Sequence, residues 1–370
     1  MERVRNYGGS ERMSKLKVAV IGMGTISEFH LGSYQKNEHA ELHGVYDLAI
    51  ERAKEKAEQF GAKKVYATLD ELLNDDELDA VSICTWNNTH ADFSIKVLQS
   101  GKHVLVEKPI ALTYEQSLNI QQVAHRTQKV FQVGYVRRFA TNTKVLKQFI
   151  DAGRLGDIYY AKATCTRRLG NPGGWFADLE RSGGGPLIDL GVHIIDICWY
   201  LMGKPKVTKV SGNTYHRLGN RNNVKNLSFY KAADYDASQN SVEDLANAII
   251  TFENGASLMV DVSFTLHATK DEISVKLFGT KGGAELEPEL KIVTEEFDTI
   301  LNMHPQIDHL TFDFTAAFQS EIDSFVEACI QNKPSEAPVE DGVEIMKILD
   351  GIYQSAKTGN EVYYELETTF

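Results

Sequence analysis

One segment of the chain carries side chains whose types and spacing suit proton transfer: Ser182-Gly183-Gly184-Gly185-Pro186-Leu187-Ile188-Asp189-Leu190-Gly191-Val192-His193, continuing through Asp196 to Tyr200. Pro186 suits the first turn of a helix and Gly203 its end. On that helix Asp189, His193, Asp196 and Tyr200 fall on one stripe. The remaining positions are apolar almost all round, so the helix is expected to be buried. Burying two carboxylates and an imidazole is costly unless they serve one another or a ligand. A carboxylate one turn from His193 is expected to favour its imidazolium and fix its orientation, as a general acid/base needs. The glycines allow close approach of a ligand or of another backbone. An isolated D-x-x-x-H is more often a core histidine between structural acids. That plainer account loses ground beside the cofactor features that follow.

Gly22-Met23-Gly24-Thr25-Ile26-Ser27 matches G-x-G-x-x-G except for Ser27 at the last position. It follows an apolar strand and opens a helix, with an acid, Asp47, about 20 residues downstream. The first glycine permits the tight turn, and the second lets backbone N–H groups reach a pyrophosphate at the helix N-terminus. Gly22, Gly24, Thr25 and Ile26 are thus candidate cofactor contacts. Asp47 closes the second strand, where its carboxylate can accept ribose hydroxyls. A 2′-phosphate there would meet like charge, at about 4 kcal/mol for 4 Å and an effective dielectric near 20. Leu48, Ala49 and Ile50 supply no cation in compensation, so NAD is expected over NADP. Val106-Glu107-Lys108-Pro109 ends another strand of the same sheet, the edge where ligands bind. Lys108 there can hold a hydroxyl or carbonyl by a charge-assisted hydrogen bond. Taken alone, a surface lysine is the better reading.

The elements that must position these groups follow two grammars. Up to about residue 138, short apolar strands (Lys17–Ile21, Glu41–Asp47, Ala80–Cys84, His103–Val106 and Val130–Gly134) alternate with helices, as in a doubly wound parallel α/β sheet. From about 139 onward, strands follow one another (Ile158–Arg167, Val207–His216, Leu245–Phe252, Ala256–Leu266 and Ile273–Phe278). Asn254-Gly255 marks a hairpin among them. Helices Phe314–Ile330 and Gly342–Ala356 close the chain. The expected organisation is a leader over 1–14, a dinucleotide-binding Rossmann domain over 15–138, and an α+β domain with a large, mostly antiparallel open sheet over 139–370.

Lys plus Arg number 39 against 51 Asp plus Glu in 370 residues, a formal charge of −12. That balance argues against a nucleic-acid binder and against an anionic membrane surface. Four scattered cysteines form no C-x-x-C pair, which suits a reduced cytoplasmic setting. No H-E-x-x-H or comparable ligand spacing occurs, so no metal is expected.

With these residues together, the chain resembles the Gfo/Idh/MocA family (glucose–fructose oxidoreductase, inositol dehydrogenase and relatives). The resemblance runs from Val18 to Gly359. It is carried by Gly22–Ser27, Glu107-Lys108-Pro109, Val133-Gly134-Tyr135-Val136-Arg137-Arg138-Phe139, and Gly184-Gly185 through Asp189-x-x-x-His193. It implies that Lys108, Asp189 and His193 are catalytic, with His193 the acid/base. It adds Thr85, Asn87, His90, Glu107 and Lys108 to the cofactor contacts, although Trp86 stands where the family commonly has proline. It also implies pairing through the open sheet face, as a homodimer or homotetramer.

The expected reaction is NAD-dependent oxidation of a secondary alcohol on a sugar, sugar derivative or cyclitol. In the loop before the catalytic helix, Trp175 is placed to stack on a sugar face, and Arg168, Asn171 and Asp178 to bind hydroxyls or an acid group. A loop pinned by an aromatic plug is the equal alternative there. Arg137 and Arg138 are expected to brace the domain junction by ion pairs. Two other functions use the same fold: a non-catalytic NAD-binding sensor or regulator, and an NAD-dependent glycosidase without net redox change. Lys108, Asp189 and His193 together argue against the first, and the absence of a Tyr/His loop after Arg168 against the second.

Overall fold

The structure is a computed structural model that describes residues 15–219, 221, 223–228 and 239–365; the leader expected over 1–14 lies outside them. The alternation read from the sequence is present as β1 (Leu16–Ile21), α1 (Ser27–Lys36), β2 (Ala40–Tyr46), α2 (Ile50–Phe60), β3 (Lys64–Val65), α3 (Leu69–Leu73), β4 (Ala80–Ile83), α4 (His90–Gln99), β5 (His103–Glu107), α5 (Tyr114–Thr127) and β6 (Phe131–Gly134). Val18, Val20, Val81, Ile83, Val104 and Val106 are buried, and such runs suit strands covered on both faces by crossover helices. Side chains cap two of these helices. Thr68 Oγ1 accepts from Glu71 N, and Thr113 Oγ1 from Gln116 N, satisfying amides that a helix start leaves open.

All five strand pairs are parallel, in the order β3-β2-β1-β4-β5-β6. The order reverses between β1 and β4, so a crevice opens at the C-terminal ends of these strands. The turn after β1, the loop after β4 and Lys108 after β5 all reach that edge.

The second part contains α6 (Thr141–Asp151), β7 (Ile158–Thr166), α7 (Leu179–Ser182), α8 (Val192–Leu201), β8 (Val207–Tyr215), β9 (Leu245–Phe252), β10 (Ser257–Ser263), β11 (Glu272–Gly279), β12 (Gly282–Glu287), β13 (Lys291–Glu296), β14 (Thr299–Met303), α9 (Phe314–Gln331), α10 (Val339–Thr358) and β15 (Val362–Tyr363). Nine strands form one sheet, β14-β13-β12-β11-β7-β10-β9-β8-β15. Its pairs are antiparallel except β7 with β10. The Asn254-Gly255 turn joins β9 to β10 as the sequence predicts. Strands β12 to β14 were not foreseen. Their residues are polar or alternate only weakly, and β14 is exposed along most of its length, so no buried run announces them.

The last two helices return to the first sheet. Ile322, Phe325 and Val326 of α9 share a core with Val18 and Val20 of β1 and Leu31 of α1. Ile345 and Leu349 of α10 share one with Val133 of β6 and Val210 of β8. Between the two sheets lies Arg138, its side chain fully buried, which reaches Asp196 Oδ1 at 2.5 Å, Asp341 Oδ2 at 2.5 Å and the Glu336 carbonyl at 2.9 Å. Arg137 pairs with Glu287 at 2.5 Å. The two arginines brace the junction as expected. Among the described residues no helix is long and apolar enough to cross a membrane.

Candidate functional site

The turn after β1 depends on glycine at its start. Gly22 has φ 88°, and a Cβ there would lie 2.7 Å from the Cys84 carbonyl oxygen and 2.9 Å from Thr85 Cγ2. At Gly24 the same Cβ position meets nothing within 4 Å, so the backbone there faces open space. Ser27, in the place of the third glycine, is buried and donates its hydroxyl to the Gly24 carbonyl at 2.6 Å.

Asp47 is held by three donors. Its Oδ2 accepts from Met23 N at 2.7 Å, and Oδ1 accepts from Ala49 N at 2.7 Å and Arg52 Nη2 at 2.8 Å. Burial works against its charge, but Arg52 and the two amides outweigh it and keep the carboxyl below its usual range. The sequence reading, which found no cation near Asp47, is corrected here. Arg52 lies in the first turn of α2 and reaches back to the strand end, beyond the three residues considered.

Beyond β4, the loop residues expected at the cofactor are used in two ways. Asn87 is buried and donates to the Ser182 carbonyl at 2.8 Å, tying this loop to the glycine run. His90 is fully buried, with Nδ1 2.7 Å from the Pro109 carbonyl and Nε2 3.1 Å from the Thr85 carbonyl. Burial holds its pKa below the ordinary value. Both ring nitrogens face carbonyls inside the protein, so His90 braces the loop against Lys108-Pro109. Thr85 stays half-buried at the rim, its Oγ1 accepting from Thr89. Trp86 is 44% exposed, with the Arg181 guanidinium 4.6 Å from its ring centroid. Glu107 turns Oε1 to His30 Nε2 at 2.9 Å, and Oε2 has no partner among the described residues.

The catalytic candidates converge across the cleft. Lys108 Nζ lies 3.0 Å from Asp189 Oδ1 and 3.1 Å from the Asp189 carbonyl. His193 Nδ1 is buried without a partner, which leaves Nε2 as the nitrogen available to a ligand. The imidazole is pushed well below its ordinary pKa, chiefly by burial and then by Lys108, Arg137 and Arg167. It is therefore neutral, and the expectation that Asp189 would favour the imidazolium fails. The reason is local: Leu187–Gly191 form a π-helical turn ahead of α8. The wider turn breaks the one-turn stacking of Asp189 on His193, and the carboxylate pairs with Lys108.

Asp196 and Tyr200 leave the stripe as well. Asp196 belongs to Arg138, and Tyr200 packs 4.7 Å from its guanidinium.

Glu243, which the sequence did not single out, holds the start of this turn. Its Oε2 accepts from Gly185 N at 2.9 Å, and Oε1 accepts from Leu187 N at 3.2 Å and from the Tyr353 hydroxyl at 2.9 Å. A Cβ on Gly184 would lie 2.0 Å from Tyr353 Oη. The glycine run therefore serves close packing. The only advance signal for Glu243 was an acid just ahead of a strand.

In the loop before the helix, Arg168, Asn171 and Asp178 each have partners within the protein. Arg168 is spent on Asp271, with N at 2.9 Å and Nε at 3.1 Å from Oδ1. Asn171 is buried, accepting from Gly173 N at 2.9 Å and donating to Asn240. Asp178 caps α7 through Glu180 N at 3.0 Å and pairs with Arg181 at 3.2 Å. Trp175 stacks on Phe176, centroids 4.0 Å apart, and is half-buried. Arg167, beside the predicted Arg168, has no carboxylate partner among the described residues and acts electrostatically on His193.

This arrangement offers a base, a cation and a dinucleotide-shaped turn at one cleft. Comparison with known proteins bears on the dinucleotide-binding fold and the family. Residues 16–135 match the family model described as "Oxidoreductase family, NAD-binding Rossmann fold", and 147–366 match that described as "Oxidoreductase family, C-terminal alpha/beta domain". D-glucoside 3-dehydrogenase of Escherichia coli (strain K12) is 33% identical over 356 residues, covering 94% of this chain and 97% of that one. scyllo-Inositol 2-dehydrogenase (NAD(+)) of Bacillus subtilis (strain 168) is 30% identical over 323 residues, covering 86% and 87%. A levoglucosan dehydrogenase solved with NADH and levoglucosan superposes with a TM-score of 0.82 over 95% of this chain and 99% of that one. At 22% identity it bears on the fold alone.

Proposed function

Because the chain belongs to the oxidoreductase family built on an NAD-binding Rossmann fold, we propose that it is an NAD-dependent dehydrogenase acting on a secondary alcohol of a sugar, sugar derivative or cyclitol. The relatives named above act on glucosides and inositol. The residues present suit the cofactor. The Gly22–Ser27 turn supplies open backbone at Gly24, and Asp47 has lone pairs for ribose hydroxyls. Glu107 Oε2 is an unpartnered acceptor at the same edge. When bound, the nicotinamide supplies the hydride acceptor.

Everything else falls to the chain. His193, neutral, takes the hydroxyl proton at Nε2. Lys108 orients the same oxygen and stabilises its developing negative charge. Asp189 holds Lys108 in place through the 3.0 Å pair. Neutrality matters, because an imidazolium has no lone pair with which to accept a proton. The observation that carries this reading is the Lys108–Asp189 pair beside His193, whose pKa burial and Lys108 hold down.

A screen of NAD reduction over inositols, aldoses, glucosides, amino sugars and sugar acids tests it, with NADH formation from at least one class expected. NADH binding without reduction by any of them would point to a sensor. Loss of a leaving group without NADH accumulation would point to a glycosidase.

The assembly we propose is a homodimer or homotetramer formed on the uncovered face of the nine-stranded sheet. Ile249, Met259 and Phe278 stand exposed there on paired strands. Light scattering should give at least twice the chain mass. The four cysteines are free thiols, which supports a reducing cytoplasmic setting.

A further inference from the structure

The glycine run ahead of the catalytic residues is shaped by two side chains that the mechanism above does not use, Glu243 and Tyr353. Glu243 stands just before β9 and is 3% exposed. The second sheet fixes its backbone: the next residue, Asp244, donates its N–H to the Tyr215 carbonyl at 2.8 Å, and its carbonyl accepts from Phe264 N at 2.9 Å. The Glu243 carboxyl oxygens accept from Gly185 N, Leu187 N and the Tyr353 hydroxyl of α10, at 2.9, 3.2 and 2.9 Å. Amides at a helix start have no partner within the helix, and an acidic side chain is the acceptor that suits them. Only glycine fits around this clamp. A Cβ on Gly185 would lie 2.4 Å from the Glu243 carbonyl oxygen, and one on Gly184 would lie 2.0 Å from Tyr353 Oη.

The far end of the same stretch is fixed too. In α8 Asp196 accepts from Arg138 Nε at 3.1 Å, and Trp199 Nε1 donates to the Pro205 carbonyl at 2.8 Å. Between these anchors Leu187–Gly191 take the wider π-helical turn, a rare form met mostly as single turns at functional sites. Its consequence is chemical. Lys108 Nζ reaches both the carboxylate and the main-chain carbonyl of Asp189, at 3.0 and 3.1 Å. In an α-helical turn Asp189 would instead stand one turn from His193. As folded, the charged groups acting on His193 are Lys108 after β5, Arg137 after β6 and Arg167 after β7, with Asp189 paired to the first.

We infer that Glu243 is a positioning residue: by holding Gly185 and Leu187 to the second sheet, it keeps the catalytic turn in its π-helical form, with Asp189 on Lys108 and off His193. It acts through the turn and not on the reacting atoms. The glycines at 184 and 185 are the backbone counterpart of this clamp. The inference rests on the dehydrogenase reading only for the tasks of Lys108 and His193. The state of the His193 imidazole can be measured without any substrate, so the two stand or fall separately.

The test compares Glu243→Gln and Glu243→Ala with the wild type, each as the full chain. Glutamine keeps the volume but has one acceptor oxygen in place of two, so one amide loses its partner. Alanine frees both. A pH titration of the His193 imidazole by NMR, assigned by the resonance missing from His193→Gln, reads the turn directly. With the hold lost, Asp189 comes within one turn of His193 and favours its charged form. The midpoint should rise by about one pH unit in Glu243→Ala and by less in Glu243→Gln.

With the best substrate, kcat should fall about 10²-fold in Glu243→Ala, the scale of a misplaced catalytic group, and by a smaller factor in Glu243→Gln, with KM and NADH affinity within about 2-fold of the wild type. The acid limb of kcat/KM should move up together with the His193 midpoint. A glutamate that served stability alone would lower the melting temperature and leave kcat and the midpoint where they are. An unmoved His193 midpoint in Glu243→Gln would overturn the inference, and so would a variant that melts lower but keeps the wild-type kcat. A loss confined to NADH affinity would do the same. Should Glu243→Ala fail to fold, Glu243→Gln decides; should no substrate be found, the His193 titration decides.

Discussion

Replacing Asp47 by serine should convert the cofactor site from one that rejects NADP to one that accepts it. On the proposed NAD reading the Asp47 carboxylate lies where a 2′-phosphate would come, and it binds Arg52 at 2.8 Å. Like charges 4 Å apart at an effective dielectric near 20 repel by about 4 kcal/mol. The Arg52 side chain is 52% exposed and salt reaches the rim, so about half of that, ~2 kcal/mol, is a fair figure. It corresponds to roughly 30-fold in NADPH affinity. Serine also frees Arg52 to pair with the phosphate. NADH should weaken about ten-fold, because the ribose loses a charged acceptor and the amides of Met23 and Ala49 lose theirs.

The assay is fluorescence titration of NADH and NADPH on wild type, Asp47→Ser, Arg52→Met and the double variant. The cycle separates the two effects, since Asp47→Ser should gain less NADPH affinity when Arg52 is absent. Equal NADH and NADPH affinity in the wild type would refute the reasoning. An unchanged ratio in Asp47→Ser would do the same.

Other consequences follow from the same structure. His193 must be neutral to act as a base, and burial with Lys108, Arg137 and Arg167 holds its pKa down. Activity should therefore be lost only below its ordinary value as pH falls, and Arg167→Met should move that acid limb of kcat/KM upward. An unmoved limb would remove Arg167 from the electrostatics of the site. Arg138→Met leaves Asp196 buried without its cation and Asp341 with Lys204 alone, which should cost about 3–5 kcal/mol in denaturant unfolding. A loss under about 1 kcal/mol would show the junction to be held by packing instead. Phe278→Lys on the open sheet face should shift the oligomer towards monomer in light scattering, with NADH affinity unchanged. An intact assembly would move the interface elsewhere.

What could be read in advance was local chemistry with a fixed spacing. The Gly22–Ser27 turn, the acid at Asp47 and the strand ending in Lys108 each lie within one strand–turn–helix step, and the fold places them at one sheet edge. The stripe from Asp189 to Tyr200 was misread because it assumed a uniform helix. One π-helical turn reassigns Asp189 to Lys108 and leaves His193 without the carboxylate neighbour that would have charged it.

Contacts made at long range left no trace. Glu243 caps amides 58 and 56 residues away, and Glu321 comes within 4.8 Å of Glu107 only because α9 folds back on the first sheet. Strands β12 to β14 were missed because the outer end of an open sheet needs no apolar run. Of the predicted substrate loop, Arg168, Asn171 and Asp178 are spent within the protein. Their residue types suited hydroxyl binding, but the same types also suit capping and ion pairing.

The central claim is that His193 acts as the base in NAD-dependent oxidation of a sugar or cyclitol hydroxyl. Turnover of the best substrate by His193→Ala, measured beside its NADH affinity, tests this most directly. A loss of about 10²–10⁴-fold in kcat, with NADH bound as in the wild type, is the expected result. Undiminished turnover by His193→Ala would contradict the claim.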